Sequence, residues 1–516
     1  MTPITIAHTA TTARLVDASK DDKLLVQQLL SYKIEGYVGG GFGGEWDGRS
    51  SFFDFGSSTF PAGFVTRLYR EFGKLGRKAN LVRRPLPPPL GPVRPVVDAF
   101  PEDPRYDYQT LTMDTLVRFG QIIAQVATGG GKSRIAKLCF SRINRPTLFL
   151  TTRGILMHQM RDAFVRDLRI PVGIFGDDHW DSPQQMNVGM VQTFAARLAE
   201  PDPTDPHEKQ AAQRRRQAET IELLQRFEFL ILEEAHEASS DSYYVVSQLC
   251  RNAHYRLALT ATPDMRDSEQ ANMRLEATAG PVAIKVSEQM LIERGILARP
   301  YFKYIDLGEF ANEGTVIDAD GNEKPARLYK TTPYQKAYEI GISTCTKRNA
   351  AIVQEVVRAR AYGLTSMVLV QHKAHGARLA RLLTDAGVRC AFIQGANDQD
   401  ERLAALNALK TGLIDALIGT NILDVGVDTP AVGLIAIAGA GKAEVAYRQR
   451  IGRGLREKKN GMPNAAFIVD FMDRVNNHLR DHARERRLIV ETTPGFGEGI
   501  VSDFPFEQPG FVKRAA

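Results

Sequence analysis

The chain has 516 residues, 43% hydrophobic and 24% charged, with 66 Lys and Arg against 60 Asp and Glu for a formal net charge of +6. That composition fits an ordinary globular protein of about three domains and excludes a low-complexity chain. Four widely separated cysteines without CxxC spacing exclude a disulfide framework or zinc knuckle, and the best apolar run, residues 432–440, is far too short to span a bilayer. The opening MTPITIAHTATTAR lacks an apolar signal core, so a reducing, cytoplasmic setting without a membrane role is expected.

In chain order, residues 1–84 predict a small α+β unit with strands at 33–38 and 51–55, a helix over 62–75 and a last strand at 80–83. Phe64, Leu68, Phe72 and Leu75 form an apolar stripe on that helix, and Arg67, Arg70, Lys74 and Lys78 form a basic one. From Arg67 to Arg94 eight Lys or Arg oppose a single acid, Glu71. So one-signed a run favours contact with nucleic acid over a merely solvated face. Residues 85–104 hold eight prolines and read as a stiff, extended linker. Gln109, in the following RYDYQ, is either a reader of the adenine edge or a surface glutamine.

Residues 121–133, QIIAQVATGGGKS, read as an apolar strand, a glycine turn and the start of a helix with Ile135, Leu138, Cys139 and Ile143 on one face. This is a phosphate cradle. Thr128 and Gly129, Gly130 and Gly131 let backbone N–H groups point inward, the helix N-terminus adds partial positive charge, Lys132 reaches terminal phosphates and Ser133 ligates Mg²⁺. Val126 stands where the usual pattern has its first glycine. Beyond it, strands at 147–151, 229–232, 256–259, 367–370, 391–394, 416–419, 433–437 and 465–469 alternate with helical stretches, which predicts two parallel α/β sheets. Residues 200–226, with Arg214, Arg215 and Arg216, read as a solvated charged insertion, with a DNA-contacting element as the lesser alternative.

The strand at 229–232 runs into Glu233-Glu234-Ala235-His236, placing carboxylates at the ligand-binding edge of a parallel sheet. There Glu233 is expected to hold Mg²⁺ through a water and Glu234 to orient and deprotonate an attacking water, with His236 linking them to Thr260-Ala261-Thr262-Pro263.

Taken together, ATGGGKS, EEAH, TATP, TNILDVGVD over 420–428 and QRIGRGLR over 449–456 resemble the superfamily 2 helicase and translocase core. The resemblance implies tandem RecA-like domains over 105–295 and 296–475, with ATP and Mg²⁺ as cofactors, and a basic helix and tail over 476–516. It implies that Gln449, Arg453 and Arg456 act on ATP held by the first domain, and that Asp424 and Asp428 join His236, Thr260 and Thr262 in coupling. It also implies backbone-gripping roles for Thr152, Arg153, Gln192, Thr193, Gln371, Thr420 and Asn421. Glu233 departs from the family's usual Asp; the extra methylene shifts the carboxylate by about 1.5 Å, which predicts a functional but slower ATPase.

The N-terminal EWDGRSSFFDF and STFPAGFVTRLYREF look like the accessory domain of phage UvsW-type helicases and are akin to a region of XPB-like helicases. That implies a 3′-to-5′ motor on branched DNA in recombination and repair, working in a host cytoplasm, with Arg67, Arg70 and Lys74 on the DNA. An RNA helicase, a scaffold with a degenerate ATPase and the motor of a restriction complex are the other readings. The segment VDFMDRVNNHLRDHARERRLIV offers Arg480, Arg484, Arg486 and Arg487 to a second strand, or closes the second domain as a packed helix.

Overall fold

The computed structural model describes residues 3–34, 48–98, 103–234, 241–262, 268–308, 313–317, 323–394, 397, 399–420, 432–439, 441, 444–458 and 463–506. Two compact units divide the chain, Met1–Ala127 with Gly131–Val286, and Thr128–Gly130 with Ser287–Ala516.

The first unit opens with a four-stranded sheet in the order Thr59–Pro61, Thr12–Val16, Ile4–His8, Ala79–Arg83. Alternation builds its first two strands, since Ile4, Ile6, Ala13 and Leu15 point inward between more exposed neighbours. A capping box of Ser19 and Asp22 starts the helix Lys20–Leu29. The strand expected at 33–38 lies earlier, at Ser31–Lys33, and residues 35–38 fall outside the described residues. The one expected at 51–55 is instead Arg49–Ser51, because Phe53 turns inward against Phe55 and Phe60 rather than continuing a ladder. The basic helix forms as a short turn, Ala62–Phe64, followed by Val65–Lys74; it buries Val65, Leu68 and Phe72, while Leu75 is exposed.

This N-terminal sheet shares its core with the rest of the first unit, since Met273 and Ala277 of the helix Glu269–Ala279 belong to the same apolar cluster. Gly63 makes the contact possible: a Cβ there would lie 2.0 Å from the Glu276 carbonyl oxygen. Around that contact Arg67 pairs with Glu276, Arg49 Nη2 lies 3.3 Å from Glu269 Oε1, and Gln121 Nε2 donates to the Ala10 carbonyl at 2.6 Å. The proline segment is extended as expected, but it is pinned. Leu90 and Gly91 donate their N–H groups to the Ile143 and Arg142 carbonyls at 3.0 Å each, satisfying the last turn of the helix Lys132–Ile143. Arg145 and Tyr255 bind the Pro88 and Pro87 carbonyls.

An eight-stranded sheet completes the unit, ordered His179–Trp180, Val172–Gly176, Met186–Met190, Thr147–Thr151, Phe229–Glu233, Tyr255–Thr260, Gln121–Val126, Val282–Val286. All pairings are parallel except that of the two-residue edge strand. The helix His207–Gln225 occupies the charged insertion, buried only at Thr220, Leu223 and Leu224.

The second unit is a seven-stranded sheet ordered Cys390–Ile393, Ala416–Gly419, Ser366–Leu369, Leu434–Ile437, Ala465–Met472, Arg299–Asp306, Ile500–Val501, parallel throughout. A hairpin of Glu313–Ile317 and Glu323–Arg327 stands beside it. The helix Asn477–Thr492 packs through Leu479, Ala483, Arg486, Ile489 and Val490, so it is the closing helix. Arg486, expected to be available to a second strand, is buried there on Asp470.

Two glycines on one element should respond oppositely. Gly63→Ala forces a methyl into a backbone carbonyl and should lower stability by about 1–3 kcal/mol. Gly73→Ala, with nothing within 4 Å of the new methyl, should raise it by about 0.5–1 kcal/mol. Urea titration of both variants checks this; equal effects would mean that the close approach at Gly63 is absent.

Candidate nucleotide site and nucleic-acid interface

The glycine turn follows the strand Gln121–Val126 and uses left-handed backbone at Gly129 and Gly131, φ 87° and 82°. Gly131 caps the helix Lys132–Ile143, and no side chain caps it. The first-turn N–H groups therefore face the place where an anion would sit. Gln109 is buried against this turn. Its Oε1 accepts from Arg134 Nη1 at 2.7 Å, and a Cβ on Gly131 would lie 2.5 Å from its Nε2. The surface-glutamine alternative is thus excluded. Arg134, which also reaches Asp98 at 3.1 Å, was not singled out by sequence; its partners lie 25 and 36 residues away, beyond any local pattern.

Register assembles the rest of the site. Glu233 ends its strand beside Leu259, and Thr260 lies beside Gln125, so both emerge at the edge that carries the glycine turn. Glu233 is buried, and its Oε2 has no hydrogen-bond partner among the described residues. Burial pushes its pKa up to about 8; Lys132 opposes that rise and Glu234 adds to it. Burial pulls on Lys132 in the opposite sense, but Glu234 and Glu233 together hold its ammonium above the usual lysine value. Lys132 Nζ lies 3.6 Å from Glu234 Oε1. Glu234 itself adopts φ 47°, a left-handed conformation that costs a non-glycine residue about 1–3 kcal/mol and turns the chain sharply off the strand. Tyr243 Oη, 3.1 Å from the Leu150 carbonyl and 3.3 Å from that of Glu233, braces the strand end.

A buried carboxylate oxygen without a partner among the described residues, at the sheet edge whose glycine turn leads into the exposed Ser133, is a hard oxygen donor that fits Mg²⁺, which keeps waters and phosphate oxygens among its ligands. No group of three metal-binding side chains occurs among the described residues. Thr260 is buried, and its Oγ1 accepts from the Thr262 N–H at 3.1 Å. His236, Asn421, Asp424 and Asp428 lie outside the described residues. Gln449 and Arg453 occupy the helix Glu444–Gly454, with their side chains outside the described set, and Arg456 follows it in a bridge to Leu297.

The polar strand ends fall into two groups. In the first unit Met190 pairs with Thr151, so Gln192 and Thr193 issue beside Thr152 and Arg153, and Gln192 Nε2 donates to the Thr152 carbonyl at 2.9 Å. In the second, Leu369 pairs with Gly419, which brings Gln371 and Thr420 to one edge; Gln371 Oε1 is buried without a partner among the described residues. Backbone and amide groups so arranged suit phosphate and sugar contacts that carry no base information. On the basic helix, Arg70 is exposed and Lys74 makes a surface pair with Glu71. Arg67 is different. Its guanidinium pairs with the largely buried Glu276, while the side chain stays partly exposed.

The family profile described as "Type III restriction enzyme, res subunit" matches residues 104–265, and that described as "Helicase conserved C-terminal domain" matches residues 347–458. "Putative helicase 22" of a Sulfolobus islandicus filamentous virus is 24% identical over 52% of this chain and 46% of its own length. UvrABC system protein B of Thermotoga maritima is 30% identical over 27% of this chain and 22% of its own. The chain thus spans less than half the length of these curated relatives. The DNA-bound helicase MrfA shares the fold, at TM-score 0.52 and 12% identity over 77% of this chain and 52% of that one. T4 UvsW aligns over 97% of this chain and 99% of its own at TM-score 0.43 and 17% identity.

A pH signature follows from Glu233. A carboxyl whose folded pKa is raised from 4.5 to about 8 loses stability progressively as pH rises between those values, because only the unfolded chain ionises freely there. Glu233→Gln lacks that penalty. Its melting temperature, relative to wild type without Mg²⁺ or nucleotide, should climb from pH 5 to 8 and then level off; a difference constant with pH would show that Glu233 is ionised throughout.

Proposed function

Because the chain belongs to the superfamily 2 helicases, we propose that it is an ATP-dependent DNA helicase or translocase that unwinds or branch-migrates branched DNA, moving 3′ to 5′, in recombination and repair. The observation that carries this reading is the coincidence, on one sheet, of a phosphate cradle beside two acids and a second cluster of polar strand ends at Thr152, Arg153, Gln192 and Thr193. In this reading one edge of the sheet both burns nucleotide and grips a strand.

The roles proposed for the residues follow from their chemistry. The N–H groups of Thr128 to Gly131 and Lys132 hold the phosphates, Gln109 sets the base end of the turn, and Ser133 and Glu233 hold Mg²⁺, which would supply charge neutralisation on the phosphates. Lys132 is paired with Glu234 at 3.6 Å. When phosphate draws Lys132 away, Glu234 loses its counter-ion and becomes the base that takes a proton from the attacking water. The water oxygen bonds to the γ-phosphorus as the bond to ADP breaks. Gln449, Arg453 and Arg456 stabilise the charge that develops, a contribution worth about 10³–10⁵ in rate for such guanidinium groups. Thr260, Thr262, His236, Asp424 and Asp428 pass nucleotide state to the strand contacts, which include Gln371, Thr420 and Asn421 in the second unit. Alternating grip then ratchets the backbone through. Arg70 and Lys74 on the helix Val65–Lys74, with Lys78 shortly after it, give the preference for branches. A second reading, the motor of a restriction complex, is favoured by the profile over residues 104–265.

Steady-state ATP hydrolysis separates the readings, with wild type beside Lys132→Ala and no nucleic acid, single-stranded DNA, duplex, four-way junction or single-stranded RNA. Turnover should be greatest with the junction and vanish in the variant. Stimulation by RNA alone would move the substrate to RNA, equal stimulation by junction and duplex would favour the restriction motor, and no turnover anywhere would leave a binding scaffold. In the same assay Glu233→Asp should raise kcat; an unchanged rate would remove the geometric penalty assigned to the longer side chain.

Junction affinity against salt tests the basic helix. Arg70→Ala, Lys74→Ala and Lys78→Ala together should make the log–log slope shallower by about 0.9 for each phosphate that is no longer neutralised. Arg67→Ala should instead lower the melting temperature and leave the slope alone. Identical slopes for the triple variant and wild type would make this a solvated face.

A further inference from the structure

The helix Glu444–Gly454 carries Gln449 and Arg453 at a spacing of four residues, so these positions lie on one face. Tyr447 is about 200° of helical rotation from Gln449 and about 240° from Arg453, which places it on the opposite side. That side is anchored by a buried polar network that the proposed mechanism does not use. Tyr447 Oη donates to Asp470 Oδ2 at 2.9 Å, Arg486 Nε donates to the same oxygen at 2.9 Å, and Arg486 Nη2 donates to Oδ1 at 2.9 Å. The Phe471 N–H adds a 2.7 Å bond to Oδ1. Tyr447 and Asp470 are each 1% exposed and Arg486 3%. Three elements meet here: the helix, the strand Ala465–Met472 and the closing helix Asn477–Thr492.

A buried ion pair is a poor way to gain stability, because apolar residues of the same volume do as well or better. What a two-pronged guanidinium does provide is direction: it fixes the plane of Asp470, and Asp470 then offers Tyr447 one acceptor in one place. We propose that Tyr447, Asp470 and Arg486 are positioning residues for ATP hydrolysis, locking the rotation of the helix that presents Gln449 and Arg453 to the γ-phosphate. This rests on the reading of the chain as an ATP-driven motor. Burial and the neighbouring Asp470 hold the Tyr447 phenol well above its ordinary pKa, so it stays a donor. Axial slippage is opposed separately, since Lys458 Nζ donates to the Gly454 and Val432 carbonyls at 2.6 Å each. Rotation matters more than its size suggests. A turn of about 20° moves a group about 6 Å from the helix axis by about 2 Å. A misplacement of about 1 Å already costs on the order of a hundredfold in rate.

The test uses the full chain and three variants: Tyr447→Phe, which removes one hydroxyl, Arg486→Met, which removes the fork, and Arg486→Lys, which keeps the charge. With junction DNA and saturating ATP, Tyr447→Phe should lower kcat ten- to a hundredfold while the Kd for a fluorescent ATP analogue and for the junction changes less than twofold. Arg486→Met should fall as far, and Arg486→Lys should recover part of the loss. Hydrogen exchange read without ATP gives a second, independent answer: amides of residues 444–454 should exchange faster in Tyr447→Phe, with 465–472 unchanged. A lowered melting temperature with kcat and exchange unchanged would overturn the proposal and leave a purely structural tie. Faster exchange in a chain whose wild type turns over no ATP would sink the motor reading, and with it the catalytic role, while leaving the mechanical lock in place. Unchanged exchange overturns the lock whatever the ATPase does.

Discussion

Lys132, Glu233 and Glu234, three ionisable groups drawn together at one strand end, set the terms for the first unit. The Lys132 ammonium faces Glu234 while burial holds Glu233 toward its neutral form, and one buried Glu233 oxygen is left without a partner among the described residues. Such an arrangement is expensive, because each desolvated polar group must find its compensation among few neighbours. Under the proposed function, phosphate would take Lys132 and a divalent cation the carboxylate oxygen. The left-handed turn at Glu234 belongs to the same arrangement, since it swings the second carboxylate off the strand axis instead of continuing the period-2 alternation that would bury it.

Parallel pairing spreads that local chemistry across the sheet. In a parallel sheet all strand ends of one polarity share an edge, so the register that sets Glu233 beside Leu259 and Thr260 beside Gln125 also sets Gln192 near Thr152. The N-terminal sheet is joined to this body by a shared apolar core, by the close approach at Gly63 and by the Arg67–Glu276 pair, and the proline segment is stitched to the phosphate-loop helix. The basic helix that carries Arg70 is therefore part of the same body as the eight-stranded sheet. The helix that Gly63 and Arg67 meet, Glu269–Ala279, comes closely after Thr260 and Thr262, the pair proposed for coupling.

Legibility divided along a physical line. The phosphate turn, the paired acids and strands such as Phe229–Glu233 and Ala416–Gly419 were readable because each is a contiguous run whose chemistry is complete within a few residues. Strands Val172–Gly176, Met186–Met190 and Arg299–Asp306 were not, since glycines or charges break their apolar runs and only pairing reveals them. Side-chain partners were the other blind spot. Arg67 finds Glu276 209 residues away. Gln109 is buried rather than exposed only because Gly131 and Arg134 close over it.

The arginines show why counting charge along the chain misleads. Arg67, Arg70 and Lys74 share one helical stripe, and Arg480, Arg484, Arg486 and Arg487 share one terminal helix, so sequence treats each set as a uniform basic face. Folding sorts them by the cost of leaving water. Arg67 and Arg486 meet carboxylates in protected places and become parts of the frame; Arg70 and Arg484 stay in solvent, where a phosphate can displace only water and counter-ions. The same residue type thus does two jobs. Guanidinium groups that fork onto a buried carboxylate fix geometry; under the proposed function those left on the surface, such as Arg70 and Arg484, would supply affinity for a phosphate backbone, so the density of cations along the chain overstates how many are available to it.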